Sequence, residues 1–494
     1  MTRVAFQPVR TLRPLLAGLA VVPARSDIKI SDLVLDSRQM KPGALFLGVP
    51  GQNVDGRDFV PQALGAGAAA IVCDHDWRAP KNVEVPCFKV VDLRRNISLI
   101  ANRFYGFPSR VMCIVGITGT NGKTTCAFLL AQALERLGRR SAFIGTTGIG
   151  LMGRFERNDM TTPDAVSVQR TLSRFVSQGV DCVCLEVSSH GLSQHRVAGV
   201  EFEAALFTNL SRDHLDYHTD MSAYGDAKLM LFRNGALRIA VINRDDPLTP
   251  ALREAAATAR IWTYGTTPAA DIYPVSIDSS FNGLSVKLAS PMGEISVATG
   301  LFGQVNVANI AAVVATLLAL DFKAHRIVDA LADVVSPAGR MESFGMSPRQ
   351  ARIFVDYAHT PAALEEVLKS LKAHTSGKLW CVFGCGGDRD RGKRAQMGAV
   401  ADRWADEIIL TNDNPRGERS GEIMSEIEKG ITVHTARRQP DRAQAIRETI
   451  ESASADDTVL IAGKGHEDQQ QVGDRLYRFS DREVVNELLQ GVAP

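Results

Sequence analysis

The stretch GITGTNGKTT, residues 116–125, decides the fold. It follows the apolar run 111–115 and opens onto residues 125–137, whose apolar positions recur at helical spacing. Strand, glycine turn and helix in that order begin a nucleotide-binding α/β domain. The glycines let backbone N–H groups converge on phosphate oxygens. Lys123 can bridge the β and γ phosphates, and a following threonine hydroxyl can hold Mg²⁺. The strict phosphate-loop pattern needs glycine at 117, where this chain has Ile117, so the spacing fits a variant centred on residues 119–124. ATP is the expected ligand. The loop alone does not say what the nucleotide is used for.

Outward from the loop, strand-like runs at 180–187, 204–209 and 239–243 and a helix at 307–320 extend a central domain, expected over residues 111–338. Before it, runs at 33–35, 44–49, 69–73 and 87–91, with a helix near 61–67, form a smaller α/β domain over 1–110. The residues GFPS, 106–109, are the linker between them. Beyond SPAG, 336–339, strands and helices alternate again at 353–356, 361–373, 379–383, 407–411 and 458–462. That pattern predicts a separate, Rossmann-like doubly wound sheet over 339–494. The fold class is therefore α/β in three domains, with a central P-loop ATPase-like parallel sheet.

Composition excludes several classes. At 494 residues the chain is too long for one ordinary core. Its 56 basic and 55 acidic residues leave a net charge of +1, which gives no support to a nucleic-acid binder. No stretch approaches the ~20 apolar residues of a membrane span. Arg3, Arg10 and Arg13 precede the apolar run 15–22, but its glycine and shortness favour a first element of the N-terminal domain over an export leader. The eight cysteines form no C-x-x-C pair and several lie in apolar runs, so reduced, buried thiols are expected, not disulfides or a zinc site.

Two further segments sit at predicted strand ends, where open parallel sheets bind ligands. EVSSHGLSQHR, 186–196, supplies a carboxylate, and TNLSRDHLDYH, 208–218, supplies an imidazole. Together they can ligate Mg²⁺ between ATP and a second substrate. Lys228, in YGDAK, 224–228, is by spacing alone an ordinary surface lysine whose stem lies on apolar neighbours.

These segments, with GQVNVAN (303–309), GRME (339–342), VDYAHTP (355–361), GCGGDRDRGKR (384–394), DNPR (413–416) and GKGHE (463–467), resemble the Mur ligases in order and interval. The match covers nearly the whole chain and is thinnest in the first 110 residues. The resemblance implies ATP-dependent amide formation through an acyl phosphate. A UDP-N-acetylmuramoyl-L-alanyl-D-glutamate carboxylate would be joined to meso-diaminopimelate by a cytoplasmic, monomeric enzyme of peptidoglycan synthesis.

It also implies roles. Lys123, Lys228, Glu186 and His214 would be catalytic, with Thr124, Glu186, His214 and Lys228 around Mg²⁺ and Lys228 carbamylated by CO₂. Gly119, Thr120, Asn121, Gly122, Lys123, Thr124, Thr125, Asn306, Asn309, Arg340 and His359 would hold ATP. The UDP-linked dipeptide would meet Leu35, Ser37, Gln52, Asn53, Val54, Thr161, Thr162, Ser188, Gln194 and Arg196. The chain departs from the family at Gln52 and Met160. Arg389, Asp413, Asn414, Pro415, Arg416, Gly463 and Glu467 would choose the amine, and Arg416 opposes a lysine-adding relative. A folylpolyglutamate synthetase is opposed by the C-terminal segments and the extra N-terminal domain. A P-loop motor would have no use for Lys228, Arg389 or Arg416.

Overall fold

The computed structural model describes residues 8–51, 54–79, 83–158, 160–281, 283–344 and 351–490. The N-terminal part is a four-stranded parallel sheet in chain order: Leu33–Val34, Leu45–Gly48, Ala70–Asp74 and Cys87–Val90. Period-2 alternation sends Phe46 and Ile71 to one face and Leu45, Leu47 and Val72 to the other, and both faces are covered. Part of the 15–22 run joins this core: Leu15, Leu16 and Val22 are buried in it with Leu12. The helix Leu93–Phe104 was not foreseen. Its buried apolar positions 93, 97, 100, 101 and 104 have helical spacing, with Arg94, Arg95 and Asn96 on the other face, the pattern of an amphipathic helix.

The central sheet has eight strands. Six are parallel, in the order Arg260–Tyr264, Ile239–Asn243, Ala204–Phe207, Cys113–Thr118, Cys182–Glu186, Ser141–Gly145. Gly148–Leu151 and Arg154–Glu156 continue the sheet antiparallel. The strand that leads into the phosphate loop is flanked by Ala204–Phe207 and Cys182–Glu186, so three adjacent strands deliver their C-terminal ends to one place. The helices Lys123–Arg136 and Val305–Ala319 are both largely buried, in one apolar core on the same side of the sheet. A three-stranded antiparallel sheet, Tyr273–Ser280, Gly283–Ala289 and Ile295–Thr299, joins that core through Leu284, Val286, Leu288, Ile295 and Val297.

The C-terminal sheet runs Glu342–Phe344, Arg352–Asp356, Thr458–Ala462, Leu379–Phe383, Glu407–Leu410, Ala436–Arg438, parallel except for the first strand. Helices cover both faces, giving the doubly wound arrangement. All eight cysteines are free thiols. Among the described residues no helix is long and apolar enough to cross a membrane.

Candidate active site

The glycine loop follows Cys113–Thr118 and ends at the N-terminus of Lys123–Arg136. Gly119 has φ +149°, and a Cβ there would lie 1.8 Å from Thr208 Oγ1, so only glycine fits. The neighbouring strand end clamps the loop. Thr120 N–H donates to Asn209 O (2.8 Å), Asn121 N–H to Asn209 Oδ1 (3.0 Å), and Thr208 Oγ1 to Asn121 O (2.6 Å). The Lys123 ammonium donates to the carbonyls of Gly119 and Thr120, at 2.9 and 2.8 Å. Beside the loop is a cavity of about 260 Å³, lined by Asn121, Gly122, Thr125, Asn306, Asn309 and Arg340, with Tyr357 and Ala358 from the C-terminal part. His359 does not line it; this imidazole lines a separate cavity with Arg389 and Arg416.

Glu186 ends its strand fully buried. Thr124 Oγ1 donates to its Oε2 (2.9 Å), Thr146 N–H to its Oε1 (2.8 Å), and Arg340 reaches Thr124 Oγ1 across the domain boundary (3.1 Å). Burial raises the carboxyl of Glu186, and the charge of Lys123 opposes that rise. Lys123 is pulled the other way by its own burial, with Glu186 opposing. His214 is pushed down to about 3 by burial, so its imidazole is neutral at neutral pH. Asp213 lies 3.4 Å from His214 Nε2 and 3.5 Å from His359 Nε2. Burial alone would raise the Asp213 carboxyl, but the His359 contact and nearby positive groups hold it below the usual carboxylate range.

Lys228 is not the surface lysine its spacing predicts. The helix Met221–Phe232 is buried on several sides, and Lys228 has no exposed surface. Its Nζ lies 4.0 Å from the centroid of the Tyr224 ring and has no hydrogen-bond partner. Burial, then the charge of Lys123, drives its pKa well below that of an ordinary lysine. The Thr124 hydroxyl, the Glu186 carboxylate 2.9 Å from it and a carboxylated Lys228 would offer the hard oxygens that Mg²⁺ takes, with the neutral His214 imidazole also within electrostatic reach of Lys123.

The amine-side residues gather around a second cavity, of about 190 Å³. Arg389, Asp413, Asn414, Arg416, Gly463 and Glu467 line it, together with Asp213, His214, Tyr357, His359 and Lys393. Pro415 contributes backbone outside the lining, its carbonyl receiving Glu418 N–H (3.0 Å). Arg416 donates to Gly387 O (2.8 Å) and has no carboxylate at ion-pair distance among the described residues. Burial and then the charge of Arg389 lower its pKa. Opposite, Glu467 accepts from Asn414 Nδ2 (3.0 Å) and from the fully buried Lys464 (2.7 Å). The cavity thus sets two guanidinium groups among five carboxylates, Asp213, Asp216, Asp390, Asp413 and Glu467, with Arg389 3.6 Å from Asp216.

A third cavity, about 860 Å³, shares Tyr357, Asn414 and Glu467 with the second and extends to Thr146, Met160 and Thr161. Beside it Thr162 Oγ1 donates to Glu186 O (2.8 Å) and Arg196 to Thr162 O (2.6 Å). Ser188 Oγ lies 3.1 Å from Thr162 Oγ1, and Gln194 Oε1 accepts from Arg196. The N-terminal candidates are not brought into these cavities. Ser37 is buried and spends its hydroxyl on Gln62 (2.8 Å), Leu35 is half-buried, and Val54 is exposed. Gln52 and Asn53 lie outside the described residues.

Sequence reading passed over Asp213, Tyr357 and Lys464. Asp213 and Lys464 stand beside chosen residues and are marked out by their burial in the folded chain, whereas Tyr357, two positions before His359, is marked out by lining the second cavity.

Comparison with known proteins follows the same outline. Residues 29–105 match "Mur ligase family, catalytic domain", residues 117–317 "Mur ligase middle domain" and residues 339–465 "Mur ligase, glutamate ligase domain". A protein of Ectopseudomonas mendocina is 45% identical over 94% of this chain and 96% of its own length, and one of Pseudomonas aeruginosa is 44% identical over the same shares. Both are named UDP-N-acetylmuramoyl-L-alanyl-D-glutamate–2,6-diaminopimelate ligase. A solved structure of an enzyme with that name is 34% identical, covers 99% of each chain and superposes with a TM-score of 0.69.

Proposed function

The chain belongs to the Mur ligase family, and on that premise we propose that it joins meso-diaminopimelate to UDP-N-acetylmuramoyl-L-alanyl-D-glutamate at the expense of ATP, in the cytoplasm and as a monomer. The domains divide near residues 110 and 338. The observation that carries the choice of amine is the second cavity. Diaminopimelate has a carboxylate where lysine has none, and the half-buried Arg416, though Asp413 and Glu467 act on it from within the same cavity, has no carboxylate at ion-pair distance among the described residues. Arginine binds carboxylates through two parallel charge-assisted bonds. Left facing lysine, it loses that partner at a cost of several kcal/mol.

In the reaction, the substrate's glutamyl carboxylate attacks the γ-phosphorus of ATP, ADP departs and an acyl phosphate forms. The amine then attacks the acyl carbon, the tetrahedral adduct collapses, and phosphate leaves with the former carboxylate oxygen. Phosphorylation is needed because a carboxylate is a poor electrophile. Lys123 leaves the loop carbonyls to neutralise charge on the transferring phosphoryl group. Asn306, Asn309 and Arg340 frame the nucleotide, while Thr161, Thr162, Ser188, Gln194 and Arg196 orient the muramoyl dipeptide. Leu35, Ser37, Gln52, Asn53 and Val54 receive its uridine end. Thr124, Glu186, His214 and a carbamylated Lys228 would hold Mg²⁺, which would supply fixed positive charge to the phosphoryl transfer. Asp413, Asn414, Pro415, Arg389, Arg416, Gly463 and Glu467 hold the amine, with Glu467 on an ammonium.

The test is amine-dependent ADP release with UDP-N-acetylmuramoyl-L-alanyl-D-glutamate as acid, offering diaminopimelate, lysine and glutamate in turn. Turnover with diaminopimelate alone is expected. In Arg416→Ala the KM for diaminopimelate is expected to rise by roughly a hundredfold, several kcal/mol of lost charge-assisted bonding, with the KM for ATP nearly unchanged. Equal losses for both substrates would refute the assignment.

A further inference from the structure

The two guanidinium groups of the amine cavity stand on loops, residues 384–390 with Arg389 and 413–418 with Arg416, each following a strand end. Like charges facing one cavity repel, so their spacing needs a frame. Part of that frame is backbone. Gly387 N–H donates to Asn414 O (2.9 Å), and Gly417 N–H to Asp388 Oδ2 (3.0 Å).

The rest is a buried ion pair beneath the loops. Arg394, on the helix Gly392–Trp404, has no exposed surface. Its guanidinium donates to both Glu418 oxygens (2.8 and 2.9 Å), to Gly386 O (3.1 Å) and to Glu426 Oε2 (2.8 Å). Glu418 Oε1 also accepts Asp388 N–H (2.6 Å). One guanidinium therefore grips the first loop by a carbonyl and the second by a carboxylate, and that carboxylate reaches back to the first loop. Hydrogen bonds from Arg394 hold the Glu418 carboxyl down to about 2, so the pair is charged at every pH at which the enzyme would work. Neither side chain lines the cavity.

We propose that Arg394 and Glu418 are positioning residues for amine selection, their ion pair setting the spacing of Arg389 and Arg416 and so the preference for a carboxylate-bearing amine. The inference rests on the second cavity being the diaminopimelate site. Glu418→Gln keeps size and shape but loses the charge; Arg394→Lys keeps the charge but loses the fork. In both, the KM for diaminopimelate rises roughly tenfold or more, and the kcat/KM ratio of diaminopimelate over lysine falls by a similar factor. The KM for ATP and the amine-independent acyl phosphate, trapped by borohydride reduction, stay within about twofold of wild type.

Glu426→Gln is the control, because the Glu426 carboxylate bonds Arg394 and Arg391 without touching Gly386, Asp388 or Glu418. It leaves the amine ratio in place. A merely structural role would lower the melting temperature and kcat together and leave the ratio intact in Glu418→Gln, and that result overturns the proposal. Should Arg394→Lys fail to fold, Glu418→Gln decides alone. A wild-type enzyme that accepts lysine equally well overturns the cavity reading and this proposal with it. A selective wild type with equally selective variants overturns this proposal only.

Discussion

A primary amine buried without a hydrogen-bond partner has two ways to escape the cost of an isolated charge: it stays neutral, or it becomes something else. Lys228 is such an amine, fully buried, its Nζ without a partner and its pKa driven far down by burial. Neutrality makes the nitrogen a nucleophile. Attack on the carbon of CO₂ would form an N–C bond and release one proton; the resulting carbamate would offer hard oxygens to Mg²⁺ where the ammonium would repel it. Lys228→Ala is therefore expected to lose nearly all ligase activity, roughly a thousandfold, the scale of removing one preorganised charge from a phosphoryl-transfer site. A short carboxylic acid such as acetate, diffusing into the space left by the side chain, should restore part of it. ADP release in the variant, titrated with acetate, reads both effects. Full activity without acetate would remove Lys228 from the mechanism.

Elements bring such residues to one place, and the C-terminal sheet shows how. Arg442 begins the helix Arg442–Ser452, Asp481 begins Asp481–Leu489, and both side chains are completely buried in a paired contact (2.7 and 2.8 Å). The same guanidinium donates to Ala462 O (2.9 Å) and Asn412 O (3.3 Å), the residues just ahead of the Gly463 and Asp413 segments. Removing one partner leaves an uncompensated buried charge, so Asp481→Asn should cost about 3–5 kcal/mol in chemical denaturation. Replacing both, Arg442→Met with Asp481→Leu, should recover most of that loss; a double variant as unstable as the single would contradict the account. Neither residue stands out in the sequence, and the contrast with the phosphate loop explains why. Residues 111–137 were legible because strand, glycines and helix are local, each specified by its neighbours. The helix Leu93–Phe104 and the antiparallel strands went unread although part of their signal is local: Leu284, Val286 and Leu288, then Ile295 and Val297, alternate with polar residues, and only Tyr273–Ser280 lacks such a buried face. Spacing alone could not mark Lys228, because its burial comes from what packs around Met221–Phe232; only the family resemblance singled it out.

At the scale of the whole molecule the site is a junction. The central and C-terminal parts meet through polar contacts: Arg340 to Thr124 (3.1 Å), Arg212 to Asp390 (2.9 Å) and His359 to Asp213 (3.5 Å). Drawing polar groups inward to form that junction has a consequence for stability against pH. His466, packed against Tyr357 at a ring distance of 5.2 Å, is pushed down to about 3 by burial and by the nearby charges of Arg340, Arg482 and Lys464. His190 is lowered to about 4 and His214 to about 3, burial leading in each. An unfolded histidine takes its proton as pH falls through about 6.5, whereas these three resist until far lower. Between those limits the unfolded chain binds more protons than the folded one, so stability declines as the pH is lowered. For His466 the slope is at most about 1.4 kcal/mol per pH unit, reduced where solvent reaches the ring. The lowered carboxylate of Glu418 acts in the same direction in a different window, losing its contribution only as pH falls from about 4.3 towards about 2. From pH 7 to pH 5 the histidines therefore act without it. The melting temperature of the ligand-free protein should drop across that interval, and His466→Gln should flatten the drop. Glu418→Gln should leave the slope there unchanged and alter it only in stronger acid. A melting temperature constant from pH 7 to pH 5, or a slope untouched in His466→Gln, would mean that these imidazoles are not held neutral by the fold.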